Sequence, residues 1–103
     1  MNLERTQWVQ ELRSKPNTQI IDVRTLKEYN RGHIPNATLI DIKQTESFLK
    51  EIQKLDKSKN YFVYCKAGIR GAKACHLMKK LENLNCYNLT GGLEKWNGSI
   101  DNP

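Results

Sequence analysis

Residues 61–75 read Tyr-Phe-Val-Tyr-Cys-Lys-Ala-Gly-Ile-Arg-Gly-Ala-Lys-Ala-Cys, an apolar run, a short turn and the start of a helical pattern in direct succession. Tyr61, Phe62, Val63 and Tyr64 form a compact aromatic and β-branched run, the composition of a buried strand. From Ala74 onward, Leu77, Met78, Leu81 and Leu84 recur at helical spacing, which predicts an amphipathic helix. Between the two lies a short turn, Cys65-Lys66-Ala67-Gly68-Ile69-Arg70. A cysteine placed there meets backbone N–H groups without intrahelical partners and the positive end of a helix dipole, and both favour an anion. Lys66 and Arg70 add positive charge, so the thiolate is favoured over the thiol. Gly68 leaves the turn free of a side chain and can take positive φ. Arg70 supplies a planar fork of donors suited to an oxyanion. A cysteine after an apolar strand can also be an inert core thiol. The company of Gly68 and Arg70 points instead to a nucleophile facing a bound anion.

Near the N-terminus, Thr6 is a candidate cap for a short helix with Trp8, Val9 and Leu12 on one face. Residues 19–23 (QIIDV) predict a second apolar strand. Thr25 and Glu28 stand at capping-box spacing, so a short helix follows, closed near Gly32. A turn through His33, Ile34, Pro35 and Asn36 leads to a strand near residues 38–42. Thr45 opens a helix whose Phe48, Leu49, Ile52 and Leu55 share one side. A last strand over residues 86–89 runs into Thr90-Gly91-Gly92 and a short helix around Leu93 and Trp96. Strands alternating with helices imply one α/β domain over residues 1–103, with a parallel sheet covered on both faces.

At 103 residues with 38% hydrophobic content, the chain suits one core without disulfide staples. No stretch approaches the roughly 18 apolar residues of a membrane helix, and no membrane role is expected. Charged residues in the first 14 positions argue against a secretory signal, so a cytoplasmic setting is expected. Cys65, Cys75 and Cys86 show neither CxxC nor Cys/His metal spacing, so no metal site is expected. Cys75 and Cys86 are assigned to the core. The net charge of +6 is concentrated in residues 43–80, which hold ten Lys or Arg against Glu46, Glu51 and Asp56. That field suits a small anion or an acidic partner. No aromatic-interleaved basic stripe accompanies it, and no nucleic-acid role is expected.

Three segments, IIDVRTLKEYNRGHIPNA, YCKAGIRGAKAC and GGLEKW, come in an order that resembles the rhodanese domain from about Thr6 to Trp96. The resemblance implies a five-stranded parallel α/β fold and a persulfide-forming Cys65, with the N–H groups of Lys66, Ala67, Gly68, Ile69 and Arg70 cradling the sulfur. It implies a sulfurtransferase that takes sulfur from thiosulfate or a related small anionic donor. The acceptor would be cyanide, a thiol such as glutathione or thioredoxin, or a protein persulfide partner. No cofactor is required. Asp22 matches the acidic residue that helps tie down the loop in that family, and the local alternative is a strand-end pair. For Arg24 and Glu28 an ion pair with each other is expected. His33 resembles a structural histidine of the family, and His76 is expected on an exposed helix face. Gly91 and Gly92 are expected to turn the chain beneath the loop. Two departures stand out: Gly71, where many relatives carry a hydroxyl residue, and Lys66, where arginine is frequent.

Two other functions use related folds. A phosphatase or arsenate reductase would use a longer Cys-to-Arg loop than the four residues here. A non-catalytic binding module would lack the nucleophile.

Overall fold

A computed structural model describes residues 1–102. Five strands form one sheet in the order β1-β5-β4-β2-β3, and every pairing is parallel. The strands are β1 (Asn2–Leu3), β2 (Thr18–Asp22), β3 (Thr38–Leu39), β4 (Asn60–Tyr64) and β5 (Asn85–Leu89). The helices are α1 (Arg5–Ser14), α2 (Leu26–Asn30), α3 (Thr45–Gln53) and α4 (Ile69–Glu82), followed by a 3-10 turn at Gly92–Lys95. No helix among the described residues is long and apolar enough to cross a membrane.

Side chains alternate across the sheet, as the pleat requires. Ile21, Val23, Tyr61, Val63, Cys65 and Cys86 pack with Phe48 and Ile52 of α3 and with Ala74, Cys75 and Met78 of α4. On the other face, Phe62, Tyr64 and Leu89 pack with Trp8 of α1, Ile34 and Ala37, with Leu93 and Trp96 against them. Trp8 is fully buried, meets Phe62 and Trp96 edge-on at 5.6 and 5.8 Å, and donates its indole N–H to the Tyr87 carbonyl at 3.0 Å. Both tryptophans therefore cement α1 and the C-terminal turn to one face of the sheet.

Several boundaries differ from the sequence expectation. Helix α1 starts at Arg5 with Glu4 as its cap, so Thr6 lies inside it. β1 was not anticipated, because two residues carry no readable period. The strand expected over residues 38–42 is regular only at Thr38–Leu39. Ile40 and Ile42 nevertheless stay against β2 through N–H bonds to the Asp22 and Val23 carbonyls, at 2.9 and 3.2 Å. Leu81 is 51% exposed, off the apolar stripe. Asn83, in the left-handed region at φ +53°, ends α4 and turns Leu84 into the core. The capping box is present as expected: the Thr25 hydroxyl accepts from the Glu28 N–H, and Glu28 accepts from the Thr25 N–H, both at 3.2 Å.

Candidate active site

Cys65 follows β4 directly and is 1% exposed. Its Sγ accepts the N–H groups of Gly68 at 3.1 Å and Gly71 at 3.2 Å. The sulfur thus lies at the N-terminus of the 14-residue α4, where main-chain donors and the helix dipole both face it. Gly68 has φ +100°, and a Cβ there would sit 2.9 Å from the Gly91 nitrogen, so both backbone and space call for glycine. The expected cradle of five amides, 66 to 70, concerns a persulfide, and of those five the Gly68 N–H is the one bonded to the thiol sulfur here. Among the described residues, the two N–H donors to the sulfur are those of Gly68 and Gly71.

The C-terminal segment clamps the turn from beneath. The Leu93 N–H donates to the Cys65 carbonyl at 2.8 Å, and the Glu94 N–H to the Lys66 carbonyl at 3.0 Å. Gly92, at φ +58°, permits this approach, since a Cβ there would lie 2.4 Å from the Cys65 carbonyl oxygen. Asn88 on β5 adds a side-chain bond from Nδ2 to the Gly68 carbonyl at 3.0 Å. Asn88 escaped the sequence reading. The available signal was a polar residue in a strand whose composition otherwise suits burial.

The two cations of the turn are placed differently. Lys66 and Ile69 are exposed at its rim, as is Ala67. Lys66 borders a groove of about 400 Å³ whose other walls include Arg31, Leu93 and Trp96. Arg70 instead forms a two-bond pair with Glu28, at 2.7 and 3.0 Å. The expected pairing of Arg24 with Glu28 is therefore corrected: Glu28 takes Arg70, and Arg24 takes Asp22. The Arg70 guanidinium holds the Glu28 carboxyl down at about 2, with help from Thr25 and against the opposing effect of burial.

Asp22 and Arg24 are almost fully buried, with the Arg24 Nη2 at 2.7 Å from the Asp22 carboxylate and at 2.8 Å from the Gly32 carbonyl. The same carboxylate accepts the Tyr64 hydroxyl at 2.7 Å, and that hydroxyl in turn accepts the Ile34 N–H at 3.0 Å. Burial pushes the Tyr64 phenol well up, and the Asp22 charge adds to it, so the hydroxyl keeps its proton. Asp22 thus bonds the side chain of Tyr64, the residue before Cys65. His33 stacks on Tyr29 with ring centroids 3.8 Å apart, and Nδ1 faces the Tyr29 carbonyl at 3.2 Å, which is a packing role. His76 is exposed on α4. Cys75 and Cys86 lie in the core, where contact with the Cys86 thiol and burial push the Cys75 thiol up.

The site is thus a cysteine sulfur held by main-chain donors at a helix N-terminus in a parallel α/β domain, an arrangement that suits negative charge at the sulfur. Residues 5–99 match the rhodanese-like domain, and the chain belongs to that family. It is 35% identical over 82 residues to the uncharacterized protein YqhL of Bacillus subtilis, covering 80% of this chain and 63% of that protein. It is 28% identical over 92 residues to the putative sulfur carrier protein YrkF of the same organism, covering 89% of this chain and 48% of YrkF. The chain thus spans between about half and two thirds of the length of these relatives. Among solved structures, it superposes on a rhodanese-like domain protein from Staphylococcus aureus with a TM-score of 0.80 and 27% identity, covering 97% of this chain and 95% of that one. A rhodanese-related protein from Thermoplasma volcanium gives a TM-score of 0.81 at 24% identity, covering 99% and 98%, a likeness of fold.

Proposed function

We propose that this protein is a sulfurtransferase that carries sulfane sulfur on Cys65. The carrying observation is the Cys65 sulfur held by the Gly68 and Gly71 N–H groups at the start of α4. In the first half-reaction the Cys65 thiolate attacks the outer sulfur of thiosulfate or a related donor. The S–S bond of the donor breaks, sulfite leaves with the bonding pair, and the Cys65 persulfide remains. In the second half, cyanide or a thiol attacks the outer persulfide sulfur. The Cys65 thiolate is restored, and thiocyanate or a new persulfide departs. The main-chain donors stabilise the negative charge in both states, and the N–H groups of Lys66, Ala67, Ile69 and Arg70 line the turn that the outer sulfur would enter. Lys66 gives an anionic donor an exposed cation at the rim. The four-residue gap between Cys65 and Arg70 favours sulfur over phosphoryl chemistry.

A second reading, a persulfide relay fed by a protein, has its own support. Arg70 is occupied by Glu28, which weakens the hold on a small anionic donor, and Ile69 is 79% exposed at the mouth of the turn, where a protein surface could cover it. The name of YrkF as a putative sulfur carrier points the same way. The discriminating experiment is a donor and acceptor panel: thiosulfate, polysulfide and a protein persulfide against cyanide, glutathione and thioredoxin. Transfer from thiosulfate to a small acceptor supports the first reading, and transfer only from the protein persulfide supports the relay. Phosphate-ester hydrolysis without sulfur transfer would overturn both.

A further inference from the structure

Asn88 sits in the middle of the sheet, opposite Asn2 of β1 and Val63 of β4, and is 2% exposed. Both hydrogens of its carboxamide are engaged: Nδ2 donates to the Gly68 carbonyl and to the Asn2 Oδ1, each at 3.0 Å. This fixes the carboxamide orientation, and Oδ1 is turned towards Gly71. A Cβ at position 71 would lie 2.1 Å from that oxygen. Oδ1 is buried without a hydrogen-bond partner, which normally counts against a side chain in a core. Asn88 therefore touches both glycines whose N–H groups bond the Cys65 sulfur.

We propose that Asn88 is a positioning residue for the Cys65 cradle, and that Asn88 and Gly71 form a matched pair in which each fixes what the other can be. Gly68 has a backbone conformation with no side chain to anchor it. The bond from Asn88 holds its carbonyl, which also accepts the Ala72 N–H at 3.1 Å, the first turn of α4. On the other side, Oδ1 bears against the α-carbon of Gly71 and limits where its N–H can point. The same contact leaves no room for a side chain at position 71 while Asn88 keeps its two hydrogen bonds, so on this side the sulfur is bound by main chain alone. The persulfide part of this inference rests on the sulfurtransferase reading, whereas the thiol part does not.

The test is the pH profile of Cys65 alkylation by iodoacetamide, read by mass spectrometry well below the melting temperature. Asn88→Ala and Asn88→Ser are compared with the wild type, with Gly71→Ala, and with the Gly71→Ala/Asn88→Ala double variant. Loosening two charge-assisted donors should displace the profile of both Asn88 variants towards alkaline pH by about one unit, or about tenfold less product at a fixed pH on the rising limb. Gly71→Ala should lose more than either, and removing the Asn88 side chain should restore part of that loss. Wild-type profiles in the folded Asn88 variants would overturn the inference, and so would strict additivity of the Gly71 and Asn88 changes. If the wild type forms no persulfide with any donor while the alkylation profiles shift as stated, the functional reading fails and the positioning role stands.

Discussion

Arg70 does not face an open anion site: its two terminal nitrogens are bonded to the two carboxylate oxygens of Glu28. A donor anion must compete with Glu28 for this guanidinium or bind without it. Arg70→Ala should then raise the KM for thiosulfate by about tenfold if the anion uses Arg70, the worth of one charge-assisted contact. Glu28→Gln, which keeps the shape and the capping contacts, should lower that KM several-fold. Steady-state kinetics with thiosulfate as the varied substrate checks both, and unchanged values in both variants would remove Arg70 from donor binding.

The same pair sets a pH dependence. The Glu28 carboxyl is held at about 2 in the fold against 4.5 for a free glutamate, chiefly by Arg70. A lowered folded value contributes stability that is present above about 4.5 and is lost as pH falls towards 2. With both side chains about a quarter exposed, the contribution is on the order of 2 kcal/mol after screening. Urea denaturation of the wild type and Glu28→Gln across this window should show the wild type losing stability more steeply. Parallel curves would contradict the assignment.

Thiosulfate or polysulfide should add one sulfur atom to Cys65, visible by intact-protein mass spectrometry. Cys65→Ala should abolish the adduct, whereas the Cys75→Ala/Cys86→Ala variant should keep it. An adduct that persists in Cys65→Ala would move the nucleophile elsewhere.

Asp22 is a hub between Arg24 and the Tyr64 hydroxyl. Asp22→Ala leaves a buried guanidinium without its counter-charge and should destabilise the protein by about 3–5 kcal/mol. Tyr64→Phe removes the partner of the Ile34 N–H and should cost about 1–3 kcal/mol. Because both act on one network, the double variant should lose less than the two losses added. Thermal and denaturant melts of the four proteins measure this.

The parts legible in sequence were those set by neighbours along the chain. The capping box of Thr25 and Glu28 spans three positions, and β4 with α4 announced themselves by composition and period. The Gly68, Gly91 and Gly92 turns were readable because glycine marks backbone that other residues resist. What escaped depends on pairings across the fold. Glu28 chose Arg70, 42 positions away, over the nearby Arg24, and no local spacing records that choice. In the sequence Gly71 shows only a missing hydroxyl, because the Asn88 oxygen against it comes from another strand. β1 acquires its strand geometry from β5 and has too few residues to show a pattern of its own.

The clasp of Leu93 and Glu94 on the Cys65 and Lys66 carbonyls has a consequence for biogenesis. In an unfolded chain Cys65 has no cradle until residues 88–94 come back to it, and β1 must wait for β5 to find its place in the sheet. Such non-local closure slows folding. During that interval the cysteine is an ordinary unshielded thiol, open to oxidants and electrophiles. The bonds around Cys65 and its shielding from solvent arrive together, when the Gly91-Gly92 turn docks.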